Sequence, residues 1–384
     1  MSETMSRSAA LLTVDLRALA VNYREIERLA APAQVAAVVK ADAYGLGLVP
    51  VARALHSLGC RAFFVATLEE GALLRDTLPG GRRMREGVIF VLNGYAGAPA
   101  ADFQAEGLTP VLNSLEDVEI ARSEAARVGH TLAVALHVDT GMNRLGLRPN
   151  EMLHMQSDPS ALSGIMPALL MSHLACADTP EHPLNEQQRM IVQRLRIRLP
   201  TVPVSLANSA GCLLGRPFLY DVVRPGIALY GGNPRARGAN PFQPVVTFEA
   251  PILQVRRVDK GETVGYAAVY RAERPTRVAT LAAGYADGYM RALGEGGQGM
   301  VAGHSVPVIG RISMDLITVD VSDVPEALTI PGTLVELIGP NVVVDEAAAT
   351  AGTISYELLT RLGPRSRRRY IPATPDAPAE ERDA

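Results

Sequence analysis

The chain has 384 residues, 48% of them hydrophobic and 20% charged, which supports two or three domains with buried cores and excludes wholesale disorder. A formal net charge of −3 offers no basic field for a nucleic-acid backbone, and no run reaches the roughly 18 uncharged apolar residues of a membrane helix. Cys60, Cys176 and Cys212 are scattered and odd in number, which argues against a disulfide framework or a zinc cage. Glu3 and Asp15 interrupt the N-terminal stretch, so no signal peptide is expected and the predicted location is cytoplasmic.

In chain order, Asp15 reads as the cap of a helix with Leu16, Leu19, Tyr23, Ile26 and Leu29 on one face, ended by Pro32. Short apolar runs then recur at 35–39, 62–66, 88–91, 109–112, 132–138, 165–171, 202–206 and 221–224. Helical patterns such as 49–58, 115–128 and 185–198 separate them. This alternation predicts an α/β fold whose N-terminal part, residues 11–240, is a (β/α)8 TIM-type barrel. The rival open sheet would want a Gly-x-Gly-x-x-Gly after an early strand, and none is present.

Beyond Pro241 and Pro244 the texture changes. Strand-like runs at 245–257, 262–266, 276–283, 305–309, 316–321 and 333–338 are punctuated by turns such as Asp259-Lys260-Gly261-Glu262. Together with one helical pattern at 347–362, they predict a mostly-β C-terminal domain over 241–371, to which the first ~10 residues could add. The Pro- and charge-rich tail 372–384 is expected to be disordered.

Of the 37 basic residues only two are lysines, Lys40 and Lys260. Arginine keeps its proton, whereas a buried lysine can become a free amine and a nucleophile, so a retained lysine points to chemistry. Lys260 sits in a turn. Lys40 ends the apolar run Val35–Val39, where an idle charge is costly.

Barrel active sites gather at the C-terminal ends of strands. There the sequence places Lys40 after the first run, Arg144 past the fifth, His173 at the sixth, Asn208-Ser209 after the seventh and Arg224-Pro225-Gly226 after the eighth. Singly, His173 reads as a structural histidine, Asn208-Ser209 as a helix cap, Arg224 as a surface cation and Gly226 as a turn residue. Convergence at one rim changes that. Hydroxyls and glycines after the last two strands suit a phosphate, and Lys40 suits a carbonyl, a combination that pyridoxal phosphate satisfies. The other histidines lack metal-ligand spacing, so no metal is expected.

The segment Ala37-Val38-Val39-Lys40-Ala41-Asp42-Ala43-Tyr44-Gly45-Leu46-Gly47 resembles the cofactor-lysine signature of alanine racemases. The likeness continues through Val138–Gly146, Ala207-Asn208-Ser209-Ala210 and Val223–Gly231. In the second part it runs through Val264-Gly265-Tyr266, Gly284–Tyr289, Gly310–Asp315 and Thr353–Glu357, and so spans about 11 to 370. The resemblance implies a homodimeric, pyridoxal-phosphate-dependent isomerase that interconverts L- and D-alanine and supplies peptidoglycan.

By the same resemblance, Lys40 holds the cofactor covalently and is the base on the D-face, while Tyr266, from the other subunit, is the base on the L-face. Arg224 faces the pyridine nitrogen, and His173 links Arg224 toward Tyr266. Tyr44, Ser209, Tyr356 and the backbone at Gly226-Ile227 hold the phosphate, and Asn208 counts with them among the cofactor-binding residues. Arg144 contacts the cofactor's phenolic oxygen and the substrate carboxylate, and Met314, Asp315 and Tyr285 shape the substrate side. A free tyrosine titrates near pH 10, so Tyr266 needs neighbouring cations to act as a base at neutral pH.

Two positions depart from the family pattern. Where many members carry a carbamylated lysine that orients the arginine matching Arg144, this chain has His137, so no carbamate is expected. Three residues before Asn208, where a histidine is common, stands Ser205, and a supporting contact is expected to be lost. The alternatives are a broad-specificity racemase, a decarboxylase on the same plan (which would need an acidic partner where Arg224 stands) and a non-catalytic cofactor carrier.

Overall fold

A computed structural model describes residues 9–81, 87–158 and 160–373, together with the backbone of 380–382. The chain divides into two compact units, Ala20–Leu229 with Asn233–Pro241, and Met1–Leu19 with Tyr230–Gly232 and Phe242–Ala384.

Strands are numbered in chain order, beginning with β1 (Leu11–Asp15). The first unit contains β2 (Gln34–Val38), β3 (Ala62–Val65), β4 (Val88–Val91), β5 (Thr109–Leu112), β6 (Leu132–His137), β7 (Ile165–Met171), β8 (Val204–Ser205) and β9 (Val222–Val223). They pair in parallel in the order β8-β7-β6-β5-β4-β3-β2-β9. The ends meet through Asp221 N–H donating to the Val204 carbonyl (3.0 Å) and a parallel bridge between Asn208 and Arg224. This is the expected barrel. Its strands are near-continuous apolar runs because both faces are buried. The helices between them begin where the sequence caps them. Thr67 accepts from Glu70 N ahead of Leu68–Thr77, and Ser114 accepts from Asp117 N ahead of Leu115–Val128, which Gly129 ends in the left-handed conformation.

The second unit is built on the 13-residue strand β10 (Val246–Val258), which pairs antiparallel with β1 and with Thr276–Leu281 and Leu334–Ile338. Here the expected boundary at residue 11 shifts. Leu11, Leu12 and Val14 are buried while β1 lies between β10 and Arg367–Ile371, so 11–15 belongs to the β unit. Asp15 still caps the following helix, accepting from Arg17 N and Ala18 N. The pattern at 347–362 becomes two helices, Val344–Thr350 and Ser355–Arg361, broken at Gly352 with φ 71°. The tail expected to be disordered lies mostly outside the described residues; the backbone of Glu380–Arg382 pairs with Arg367–Ile371.

Candidate active site

In the barrel unit, Lys40 follows β2 and opens an unusual turn. Ala41, Asp42, Ala43 and Tyr44, none of them glycine, have φ between 52° and 58°. Left-handed turns of L-residues cost about 1–2 kcal/mol per residue, so the surroundings must hold this one. Asp42 accepts from Leu48 N through Oδ1 (2.7 Å), and Ala43 N donates to the Val39 carbonyl (2.9 Å). Glu70 accepts from Ala41 N (2.6 Å) and Ala66 N (2.7 Å) through its two oxygens. Burial and then the Arg144 charge lower the Lys40 pKa, against a smaller opposing pull from Glu70. The free amine is therefore easier to reach here than for a lysine in water.

Arg224 is the buried hub. It donates to Ser205 Oγ (2.5 Å), the Ser172 carbonyl (2.6 Å) and His173 Nδ1 (3.2 Å). Burial brings its pKa down to about 10, which still leaves it charged at neutral pH. Because the guanidinium can only donate, His173 Nδ1 accepts and its proton sits on Nε2. Burial and the surrounding charges, Arg224 foremost, push the His173 pKa well below the ordinary range and keep the ring neutral. Ser205, expected to cost a contact, instead holds Arg224 and donates to the Val222 carbonyl.

His137 is equally constrained. Asn113 spends its amide hydrogens on the carbonyls of Leu92 and Val111, so its Oδ1 accepts from His137 Nδ1 at 2.7 Å. The proton is thereby placed on Nδ1 and Nε2 is an acceptor. Burial, then the Arg224 and Arg144 charges, lower its pKa to about 4. Arg144 itself is exposed, on a loop whose neck is closed by the Val138–Leu147 bridge. The loop is tied down at Thr140, whose hydroxyl meets Ser172 Oγ (2.7 Å) and accepts from Gln188 Nε2 (3.0 Å). Gln188 also donates to the His173 carbonyl and accepts from Ala175 N.

At the other end of the cluster, Ser209 Oγ accepts from Gly226 N (2.8 Å) and Ala228 N (3.3 Å), leaving its own proton to donate. The Tyr44 ring lies over Gly226 so closely that a Cβ there would overlap its hydroxyl. A hydroxyl donor, a phenol and backbone with no side chain in the way make a cradle that fits a phosphate. Asn208 Oδ1 accepts from Gly211 N (2.9 Å), the first residue of the short 3-10 turn Gly211–Leu213.

The β unit carries the remaining candidates. Tyr266 is 71% exposed on a turn between Gly265 and Ala267, both at positive φ. Tyr285 and Met314 are also exposed. Their turns interlock through Tyr285 N to the Ser313 carbonyl and Ala286 N to the Met314 carbonyl, and a Cβ at Gly284 would overlap Met314. The Asp315 carboxylate pairs with Arg365 (2.7 Å), so its charge is already matched. Tyr356 lies in the first turn of Ser355–Arg361. Among the described residues no group of His, Cys, Asp or Glu could hold a metal ion, and no helix is long and apolar enough to cross a membrane.

Sequence reasoning missed Glu70, Asn113, Thr140, Ser172 and Gln188 as supports of the site. Asn113 directly follows a strand and Ser172 directly precedes His173, which the strand-end rule could have caught. Glu70 and Gln188 sit within helices and carry no comparable signal.

The profile for the alanine racemase N-terminal domain matches residues 14–234, and that for the C-terminal domain matches 245–370. The chain is 48% identical to the alanine racemase of Rhodospirillum rubrum, over 95% of this chain and 96% of that protein. It is 46% identical to a catabolic alanine racemase of Agrobacterium fabrum, over 94% and 92%. Among solved structures, the alanine racemase from Bartonella henselae with covalently bound pyridoxal phosphate superposes with a TM-score of 0.89 at 39% identity, covering 95% of this chain and all of that one.

Proposed function

The chain belongs to the alanine racemase family, and we propose that it interconverts L- and D-alanine by moving a proton between two bases, Lys40 and Tyr266 of the partner subunit. Its cofactor is pyridoxal phosphate. The observation that carries the reading is Lys40 itself: one of two lysines, at a barrel strand end, where burial and the Arg144 charge lower its pKa.

The bound cofactor makes the α-hydrogen acidic by drawing negative charge into its ring. The chain's residues supply the rest. Tyr44, Ser209 and the Gly226-Ile227 backbone would grip the phosphate, and Lys40 Nζ would hold the aldehyde end. Arg224 holds its proton, so it would donate a hydrogen bond to a ring nitrogen placed against it without protonating it, which would restrain side reactions that need a stronger electron sink. A decarboxylase would need a carboxylate there, and the described residues that Arg224 hydrogen-bonds are Ser205, Ser172 and His173. Arg144 orients the substrate carboxylate. Lys40 removes or returns the hydrogen on one face, and Tyr266 does so on the other.

This division is tested by mixing the inactive Lys40→Ala and Tyr266→Ala proteins. Hybrid dimers should regain activity at one intact site per dimer. No recovery despite demonstrated subunit exchange would contradict a shared site. We assign the D-alanine product to peptidoglycan. Because similar relatives carry both catabolic and biosynthetic names, the assay is growth of a D-alanine auxotroph expressing the chain, and an active protein that fails to support growth would count against that role.

A further inference from the structure

We propose that Glu70 is a positioning residue for Lys40, its carboxylate clamping the left-handed turn that aims Lys40 and Tyr44 into the barrel mouth. The inference rests on the assignment of Lys40 as the cofactor lysine. Four consecutive residues with a Cβ lie in the left-handed region, a conformation the free chain avoids, so the turn persists only while both of its ends are fixed. The far end is fixed by Asp42, whose carboxylate takes Leu48 N and whose carbonyl takes Gly47 N. The near end is fixed by Ala43 N, which donates to the Val39 carbonyl, and by Glu70, which takes Ala41 N.

The geometry of that second clamp is specific. Glu70 stands in the first turn of Leu68–Thr77, a helix capped by Thr67, so its backbone is anchored independently of the Lys40 turn. One oxygen takes the N–H of Ala41, the residue after Lys40, and the other takes the N–H of Ala66, the residue after β3. A single carboxylate thus ties the ends of two neighbouring strands, with short charge-assisted bonds at 2.6 and 2.7 Å. An amide can accept only one of these hydrogens and would turn its own donors toward the other. Release of Ala41 would let the turn relax and swing Lys40, and with it the Tyr44 ring that lies over Gly226. The Glu70 charge also acts on the amine, opposing the effects of burial and Arg144.

The test titrates cofactor-free wild type, Glu70→Gln, Glu70→Ala and Lys40→Ala with pyridoxal phosphate. Attachment is read by visible absorbance, and folding by circular dichroism and a cooperative thermal transition. Loss of one charge-assisted bond predicts that the apparent Kd rises about tenfold in Glu70→Gln and further in Glu70→Ala. A purely structural role would lower the thermal midpoint and leave the affinity of the folded protein unchanged. A folded Glu70→Gln that binds the cofactor as tightly as wild type overturns the inference, and this isosteric variant decides even if Glu70→Ala does not fold. Attached-cofactor absorbance that survives in Lys40→Ala overturns the lysine assignment, and the clamp's purpose with it.

Discussion

Mild acid should weaken this protein through His137, and the structure sets both the window and the size of the effect. The ring is buried, its Nδ1 proton is committed to Asn113, and Arg224 and Arg144 repel a second proton. Its pKa falls from 6.5 to about 4 in the folded chain, so the unfolded chain takes up the proton first. Stability is therefore fully present above the unfolded value and drains away as the pH falls toward the folded one. Over the whole window the difference is about 3 kcal/mol, and between pH 7 and pH 5 about 2 kcal/mol, at 1.36 kcal/mol per unit. In His137→Asn the amide can still donate to Asn113 Oδ1 but does not titrate. Urea unfolding of the cofactor-free proteins, followed by circular dichroism at both pH values, should show wild type losing about 2 kcal/mol more than the variant. Equal losses in the two proteins would refute the idea of a buried neutral imidazole.

Other changes probe the rest of the site. Thr140→Val strands a Gln188 hydrogen in the interior, which should cost about 1–3 kcal/mol and raise the KM for alanine by loosening the Arg144 loop, while Thr140→Ser should restore both; a normal KM in the valine variant would separate the loop from substrate binding. Gly226→Ala forces a methyl into the Tyr44 hydroxyl, with an overpacking cost of about 1–3 kcal/mol and weaker cofactor affinity in equilibrium dialysis; unchanged affinity would remove Tyr44 and Gly226 from the phosphate cradle. Tyr266→Phe should slow α-hydrogen exchange from L-alanine far more than from D-alanine, measured in deuterium oxide by NMR, and equal slowing would contradict the assignment of faces.

Most of the barrel was legible because parallel strands buried on both faces are written as short apolar runs, and each of the eight runs coincides with an observed strand. β1 was not, because Leu11–Asp15 looks like the lead-in to the helix that Asp15 caps, and its strand character comes from β10 and Arg367–Ile371, far away in the chain. The double helix at 344–361 was read as one because the apolar spacing passes through Gly352. For the site, lysine scarcity and strand-end position singled out Lys40, Arg224 and His173, and the last two are hydrogen-bonded to each other. The left-handed turn was hidden, since Ala41-Asp42-Ala43-Tyr44 contains no glycine to announce it. Ser205 shows a limit of pattern comparison: the residue differs from the common histidine, yet its hydroxyl supports Arg224 all the same.

With only two lysines in the chain, the attachment point can be read without ambiguity. Holoenzyme reduced with borohydride, digested and examined by mass spectrometry should carry the phosphopyridoxyl group on the peptide containing Lys40 and nowhere else. The modification on Lys260, or an unmodified Lys40 peptide from protein that racemises alanine, would contradict the account.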